Sequence, residues 1–354
     1  MNQPTPASGL QTPDSRLKDF IARLMRREDL SRSETHDLLD ALLNSEATDG
    51  QIAATLIALK LKGETVEELA GLAQGMRARA TRIQSRHERF IDTAGTGSSS
   101  AKCFNVSTAA AFVIAGAGLP VAKHGNRAAS SKCGSADVLS ALGVNVSVAP
   151  EVSERCLNDL GMCFMFAPLY HGATARVAGI RRQLGVQTTF NLLGPLTNPA
   201  AAPRQIIVVS YRDFVEPMAR ALSLLGTERA WVVHGADGLD EVTLANKTFV
   251  AEACDGKVRT FEIKPEDFGV PQGSLSGLAG NSAEENAATI RDVLSGDRRD
   301  AARTLVLLNA AAALHVGGRA TDLKEGMRLV EDSIDSGRAV AKLNELVRMT
   351  NASD

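Results

Sequence analysis

Two glycine- and serine-rich segments, each following an apolar run and each leading into a helix, fall within residues 90–135. Phe90-Ile91-Asp92-Thr93-Ala94 suits a short strand and runs into Gly95-Thr96-Gly97-Ser98-Ser99-Ser100. Asn105-Val106-Ser107-Thr108 then forms the first turn of an alanine-rich helix that ends at Gly116-Ala117-Gly118. A second strand is expected over 119–122, followed by Lys123-His124-Gly125-Asn126-Arg127 and Ser130-Ser131-Lys132-Cys133-Gly134-Ser135, with a helix from Ala136. Glycine lets a backbone approach an anion, and the unpaired N–H groups and dipole of a helix start favour negative charge. Two such turns in tandem point to a ligand with phosphate at both ends. Either turn alone reads as well as a tight α/β connection. Neither is the eight-residue Lys-Ser/Thr phosphate loop, and Gly95-Thr96-Gly97 lacks the third glycine of the dinucleotide fingerprint.

The stretch before these loops is helical. Leu17, Phe20, Ile21 and Leu24 keep helical spacing, and Ser31 with Glu34, Thr48 with Gln51 and Thr65 with Glu68 have capping-box spacing. Leucine-rich faces follow each cap, so four helices are expected over 15–86, read as scaffold or oligomer contact. Residues 1–14, rich in Pro, Gln, Thr and Ser without an apolar period, read as a tail. After the loops, strands are expected over 144–148, 163–167, 205–210 and 230–234, with helices over 151–160, 173–184 and 214–225. A hairpin over 248–263 and three helices over 283–347 complete the chain. This alternation predicts an α/β fold, a mostly parallel central sheet flanked by helices with a smaller all-α N-terminal domain.

Composition narrows the function. With a net charge of −2 and 4% aromatic residues, the chain lacks both the basic surface and the stacking platforms of a nucleic-acid binder. Its five cysteines, Cys103, Cys133, Cys156, Cys163 and Cys254, form no paired metal motif and read as free thiols of a reducing compartment. No apolar run approaches the roughly 20 residues of a membrane span, so no membrane association and a cytoplasmic location are expected.

Asp240-Glu241 follows the strand over 230–234, where acidic residues of an open α/β sheet meet ligands, although an acidic turn in solvent has the same composition. Lys123, His124, Asn126 and Arg127 gather phosphate donors after a strand. Arg181-Arg182 reads as a solvated helix face, or as one arginine that clamps a carboxylate.

These residues together resemble the anthranilate phosphoribosyltransferase family over nearly the whole chain. The motifs that carry the likeness are 92–97, Phe104 to Ala110, 123–127, Ser130-Ser131-Lys132, Gly134-Ser135-Ala136-Asp137, Phe190 to Pro199 and Asp240-Glu241. The resemblance implies a nucleoside-phosphorylase/phosphoribosyltransferase-like two-domain architecture. Its small domain is 15–88, joined by an inserted helix near 170–187, and its large donor-binding domain is 89–354. It implies transfer of 5-phosphoribosyl from phosphoribosyl pyrophosphate to the amine of anthranilate, with Mg²⁺ as cofactor and a homodimer as assembly. The donor-binding positions it implies are Gly95, Ser98, Ser99, Cys103, Asn105, Val106, Ser107, Thr108, Lys123, His124, Gly125, Asn126, Arg127, Ala128, Ala129, Ser130, Ser131 and Ser135. Gly95, Asn126 and Arg181 would face anthranilate, with His124, His171 and Pro195 nearby, and Ser107, Asp240 and Glu241 would hold metal. No side chain is implied as a nucleophile. The chain departs from the family at Ser98-Ser99-Ser100, where Gly-Gly-Asp is usual, at Cys103 for Thr, and at His171-Gly172-Ala173-Thr174 for His-Pro-Ala-Met. Other readings are a paralogue with a different acceptor, a nucleoside phosphorylase and a non-catalytic nucleic-acid-binding relative.

Overall fold

The computed structural model describes residues 14–97, 103–128 and 132–352. Expectations that fall on 1–13, Ser98, Ser99, Ser100, Ala129, Ser130 and Ser131 lie outside the described residues. Four helices come first: α1 (Ser15–Met25), α2 (Arg32–Leu43), α3 (Asp49–Lys62) and α4 (Val66–Arg79). Ser31, Thr48 and Thr65 each accept the N–H three residues on, and Glu34, Gln51 and Glu68 return a bond to the cap, so local chemistry alone starts α2, α3 and α4. Asp14, read as the last residue of the tail, is instead buried and caps α1 by accepting the Arg16 N–H at 2.8 Å.

The strands are β1 (Ile91–Gly95), β2 (Val121–Gly125), β3 (Met162–Phe166), β4 (Arg204–Val208), β5 (Arg229–Gly235), β6 (Thr248–Cys254) and β7 (Lys257–Ile263). They form one seven-stranded sheet in the order β3-β2-β1-β4-β5-β6-β7, parallel through β5 and antiparallel at β6 and β7. Between strands run α5 (Val106–Gly116), α6 (Ser135–Ala141), α7 (Pro150–Arg155), α8 (Ala167–Tyr170), α9 (Ala175–Leu184), α10 (Phe190–Leu193) and α11 (Val215–Leu224). The chain ends in α12 (Ala283–Ser295), α13 (Ala301–Val316), α14 (Leu323–Asp335) and α15 (Arg338–Asn351).

Strand side chains alternate between two cores, as a two-residue period requires. Ile206 and Val208 join α5 and α12–α15 on one face, while Ile207 and Val209 join α11 and the N-terminal helices on the other. From β1 the chain moves outward through β2 to β3, then returns to place β4 on the opposite side of β1. Connections leave the ends of β1 and β4 in opposite directions, which opens a crevice there.

Three further expectations are corrected. Residues 144–148 form turns and no strand; Val144 and Val146 are buried, but the Asn145 N–H donates to Thr350 Oγ1 of α15 at 3.2 Å rather than to a strand. The second strand runs to Gly125, so Lys123 and His124 are strand residues and not loop residues. The C-terminal helices number four, since Gly317-Gly318 and Gly337 break the apolar pattern.

Candidate active site at the carboxyl ends of the strands

Glycine is required where the two loops leave the sheet. A Cβ on Gly95 would lie 2.6 Å from Val208 Cγ2, and one on Gly125 would lie 2.2 Å from Ser135 Oγ. Both strand ends therefore approach neighbours more closely than any side chain allows. Beyond Gly95, the Thr96 N–H donates to the Val208 carbonyl at 3.0 Å and Thr96 Oγ1 accepts the Ser210 N–H at 3.1 Å, which pins the first loop across the switch point.

The second loop is organised by Asp137. Its carboxylate accepts the N–H groups of Ala128 and Gly134, both at 2.9 Å, and pairs with Arg127 at 2.9 Å. These donors hold its pKa below the usual carboxylate range against the opposing effect of burial. Asp137 lies three residues after Gly134 at the start of α6, a spacing that reads as a cap. Its use by Ala128 across the loop has no local signal.

Lys123 is buried, donates to the Thr93 carbonyl and lies with Nζ 3.5 Å from Ser107 Oγ. The Ser107 N–H donates to Glu241 Oε1 at 3.3 Å, so the start of α5, the end of β2 and the loop after β5 converge. Glu241 is buried, and its Oε2 has no hydrogen-bond partner among the described residues. Burial, and then the neighbouring Asp240, push its pKa well above the usual carboxylate range. Burial likewise lowers Lys123, whose charge is supported by Asp92 and Glu241. A buried carboxylate with one oxygen unpartnered among the described residues, beside a second acid and a hydroxyl, is a donor set that suits a hard cation.

Behind this cluster, Asp92 is fully buried and accepts the His124 N–H at 3.2 Å. His124 Nδ1 donates to the Gly194 carbonyl at 3.2 Å. Burial drops its pKa to about 3, so the ring is neutral and its Nε2, without a partner among the described residues, is an acceptor. His171 lies with its ring 5.1 Å from that of His124 and is also held neutral by burial. On α9, Arg181 Nη2 donates to Asn191 Oδ1 at 2.9 Å, while its buried Nε has no partner among the described residues. Arg182 is exposed, so only one of the two arginines faces inward.

Several expected donor contacts are already engaged. Cys103 Sγ lies 3.0 Å from the Leu278 carbonyl, as a hydroxyl would, and burial takes the thiol's pKa up to about 12. Val106 is fully buried and shapes the loop without a side chain to offer. Arg127 is committed to Asp137. Gly95, Asn126 and Arg127 are exposed, and Asn105, Ser107, Gly125, Ala128 and Ser135 are partly so, whereas Thr108 is buried with Oγ1 unpartnered among the described residues. Asp92 and Asn191, together with Asp137, complete the site.

Residues 87–340 match the α/β domain model of a glycosyl transferase family and 18–80 its helical bundle domain model. A relative from Moorella thermoacetica named anthranilate phosphoribosyltransferase is 50% identical over 331 residues, covering 94% of this chain and 97% of that one. The solved anthranilate phosphoribosyltransferase of Thermus thermophilus superposes with a TM-score of 0.88 at 39% identity, covering 94% of this chain and 100% of that one. The Saccharomyces cerevisiae enzyme of the same name, solved in complex with phosphoribosyl pyrophosphate and Mg, matches with a TM-score of 0.86 at 28% identity, covering 95% and 98%.

Proposed function

The chain belongs to the anthranilate phosphoribosyltransferase family, and from that we propose that it transfers 5-phosphoribosyl from phosphoribosyl pyrophosphate to the amine of anthranilate, releasing pyrophosphate, in tryptophan biosynthesis. The observation that carries this reading is the convergence of Lys123, Ser107 and Glu241 at the switch point, between two loops that each need glycine. Donor binding falls to Gly95, Asn105, Ser107, Thr108, Lys123, Asn126 and Ser135, with the backbone of 125–128. Ser98, Ser99, Ala129, Ser130 and Ser131 join them on family likeness alone. As pyrophosphate departs, the ribose gains oxocarbenium character and the leaving oxygens gain negative charge, which the Lys123 ammonium offsets.

Ser107, Asp240 and Glu241 would hold Mg²⁺, and the orphaned Oε2 of Glu241 is the feature that fits it. When bound, the ion supplies positive charge against the diphosphate. Arg181, with a buried Nε unpaired among the described residues and Nη2 held by Asn191, binds the anthranilate carboxylate, and Gly95 and Asn126 frame the ring. The neutral aryl amine forms the C–N bond at the anomeric carbon as the bond to pyrophosphate breaks, and the proton it then sheds passes to the departing pyrophosphate or to water, so orientation is the residues' main task and no general base is assigned. We take 15–88 as a helical domain to which α9 contributes, 89–354 as the catalytic domain, a homodimer as the assembly and the cytoplasm as the location. Among the described residues, no helix is long and apolar enough to cross a membrane.

The test is turnover of phosphoribosyl pyrophosphate with anthranilate across a Mg²⁺ titration. Asp240→Asn/Glu241→Gln should lower it by roughly a hundredfold or more with folding intact, since the leaving group loses its charge partner. Unchanged turnover in that variant would remove the metal assignment.

A further inference from the structure

A relay of three amide contacts crosses the site, starting at Asn281 outside both loops and ending at Cys133 in the second one. The Asn281 N–H donates to Asn286 Oδ1 at 3.0 Å, Asn286 Nδ2 donates to Asn105 Oδ1 at 3.0 Å, and Asn105 Nδ2 donates to the Cys133 carbonyl at 3.3 Å. Its direction is fixed at both ends by backbone. Asn281 N–H can only donate and the Cys133 carbonyl can only accept, so neither side-chain amide can turn over without setting like groups against each other. Asn286, on the first turn of α12, is buried. Asn105 caps the start of α5 by position, yet its side chain makes no cap bond there and spans instead to the second loop.

The same C-terminal segment grips the first loop's exit at other points. The Leu278 carbonyl accepts the Phe104 N–H at 3.1 Å, and a Cβ on Gly280 would lie 2.5 Å from the Cys103 carbonyl. Residues 278–286 therefore press on Cys103-Phe104-Asn105 through backbone, while the Asn105 amide is held between Asn286 Nδ2 on one side and the Cys133 carbonyl on the other.

We propose that Asn286 is a positioning residue for the phosphoribosyl donor: by fixing the Asn105 amide it holds the two donor loops at the spacing the diphosphate and ribose require. This rests on the reading of Asn105 as a donor-binding residue. Removing Asn286 leaves Asn105 free to rotate onto its own helix start, where asparagine is a favoured cap, and the bond to Cys133 is then lost.

The experiment is steady-state kinetics of the full chain with both substrates varied, together with thermal melting. Asn286→Ala should raise the KM for phosphoribosyl pyrophosphate by about tenfold and leave the KM for anthranilate within about twofold. Asn286→Asp, which keeps the acceptor for Asn281 but cannot donate to Asn105, should do the same with a native melting temperature. Asn105→Ala/Asn286→Ala should be no worse than Asn105→Ala alone. Additive losses, or equal losses for both substrates that follow the melting temperature, overturn the proposal and leave the donor site standing. An unchanged donor KM in Asn105→Ala overturns the donor reading itself, and the proposal falls with it.

Discussion

Asp92 carries its charge in a fully buried position, beside Lys123 and under the His124 N–H. Burial is the largest influence and lifts its pKa from 3.8 to about 6, against the lowering by Asn198, Lys123 and the His124 N–H. Between those two values the folded chain binds more proton than the unfolded one, so the contribution to stability is complete below the lower pKa and is lost as pH rises through the upper. The shift corresponds to about 3 kcal/mol, of which about 1 kcal/mol should disappear between pH 5 and pH 7. Urea unfolding of Asp92→Asn at those two pH values should show a trend flatter than wild type by that amount, and identical trends would mean that Asp92 does not titrate there. Arg181 yields a second expectation. A carboxylate deprived of its charge-assisted partner loses about 1.5–3 kcal/mol, so Arg181→Ala should raise the anthranilate KM roughly ten- to a hundredfold, with Arg182→Ala within about twofold. Equal effects would place anthranilate elsewhere. The contrast between the two arginines was open in the sequence because adjacent helical positions differ by a hundred degrees; only the packing of α9 on α2 and α3 decides which one turns inward.

Elements were legible in proportion to how locally they are specified. The caps of α2, α3 and α4 lie within four residues of the groups they satisfy, and all three could be read directly. Residues 144–148 alternate apolar and polar as a strand does, yet an edge partner is supplied by the fold and not by the segment, and here α15 takes its N–H instead. The same holds for β2, whose last residues Lys123, His124 and Gly125 pair with Phe164, Met165 and Phe166 in spite of their polarity. Helix crossings are equally silent in sequence. At Gly116 a Cβ would meet Ser333 Oγ at 2.3 Å and the Ala339 backbone nitrogen at 2.9 Å, because α5 sits directly on α14 and α15. Gly116→Ala should therefore destabilise by about 1–3 kcal/mol through overpacking. Gly50, exposed on the first turn of α3 with only Thr48 Oγ1 at 4.0 Å, serves as the control. Its change to alanine should be neutral or stabilising by up to about 1 kcal/mol. Urea denaturation of both variants checks the pair, and a harmless Gly116→Ala would show that α5 can move away from α14 without loss.

At the scale of the whole molecule, strand order decides where chemistry is possible, and strand order is no property of any one segment. The placing of β4 beside β1 creates the switch point, and it brings Glu241 to Ser107 across 134 positions and Asn286 to Asn105 across 181. The resemblance grouped Glu241 with Ser107 in advance, while nothing in the sequence pointed to the meeting of Asn286 with Asn105. Assembly follows a similar logic. The leucine surplus of the N-terminal helices suggested an interface, but Leu38, Leu39, Leu42, Leu56, Leu59, Leu69 and Leu72 are all consumed inside the chain. What remains outside is smaller: Met25 at 75% exposure on α1 and Leu61 at 72% on α3, two helices that pack together, with Phe20 and Ile21 half-buried on α1. Large apolar side chains left in water on adjoining helices are what a two-fold contact would cover. Light scattering at micromolar concentration should accordingly give a dimer, and Met25→Glu/Leu61→Glu should give a monomer that still turns over both substrates, because neither residue is assigned to the site. A monomeric wild type would remove the dimer altogether. A double variant that stays dimeric would move the interface off this pair of helices, and a monomer without activity would mean that the site itself depends on the partner chain.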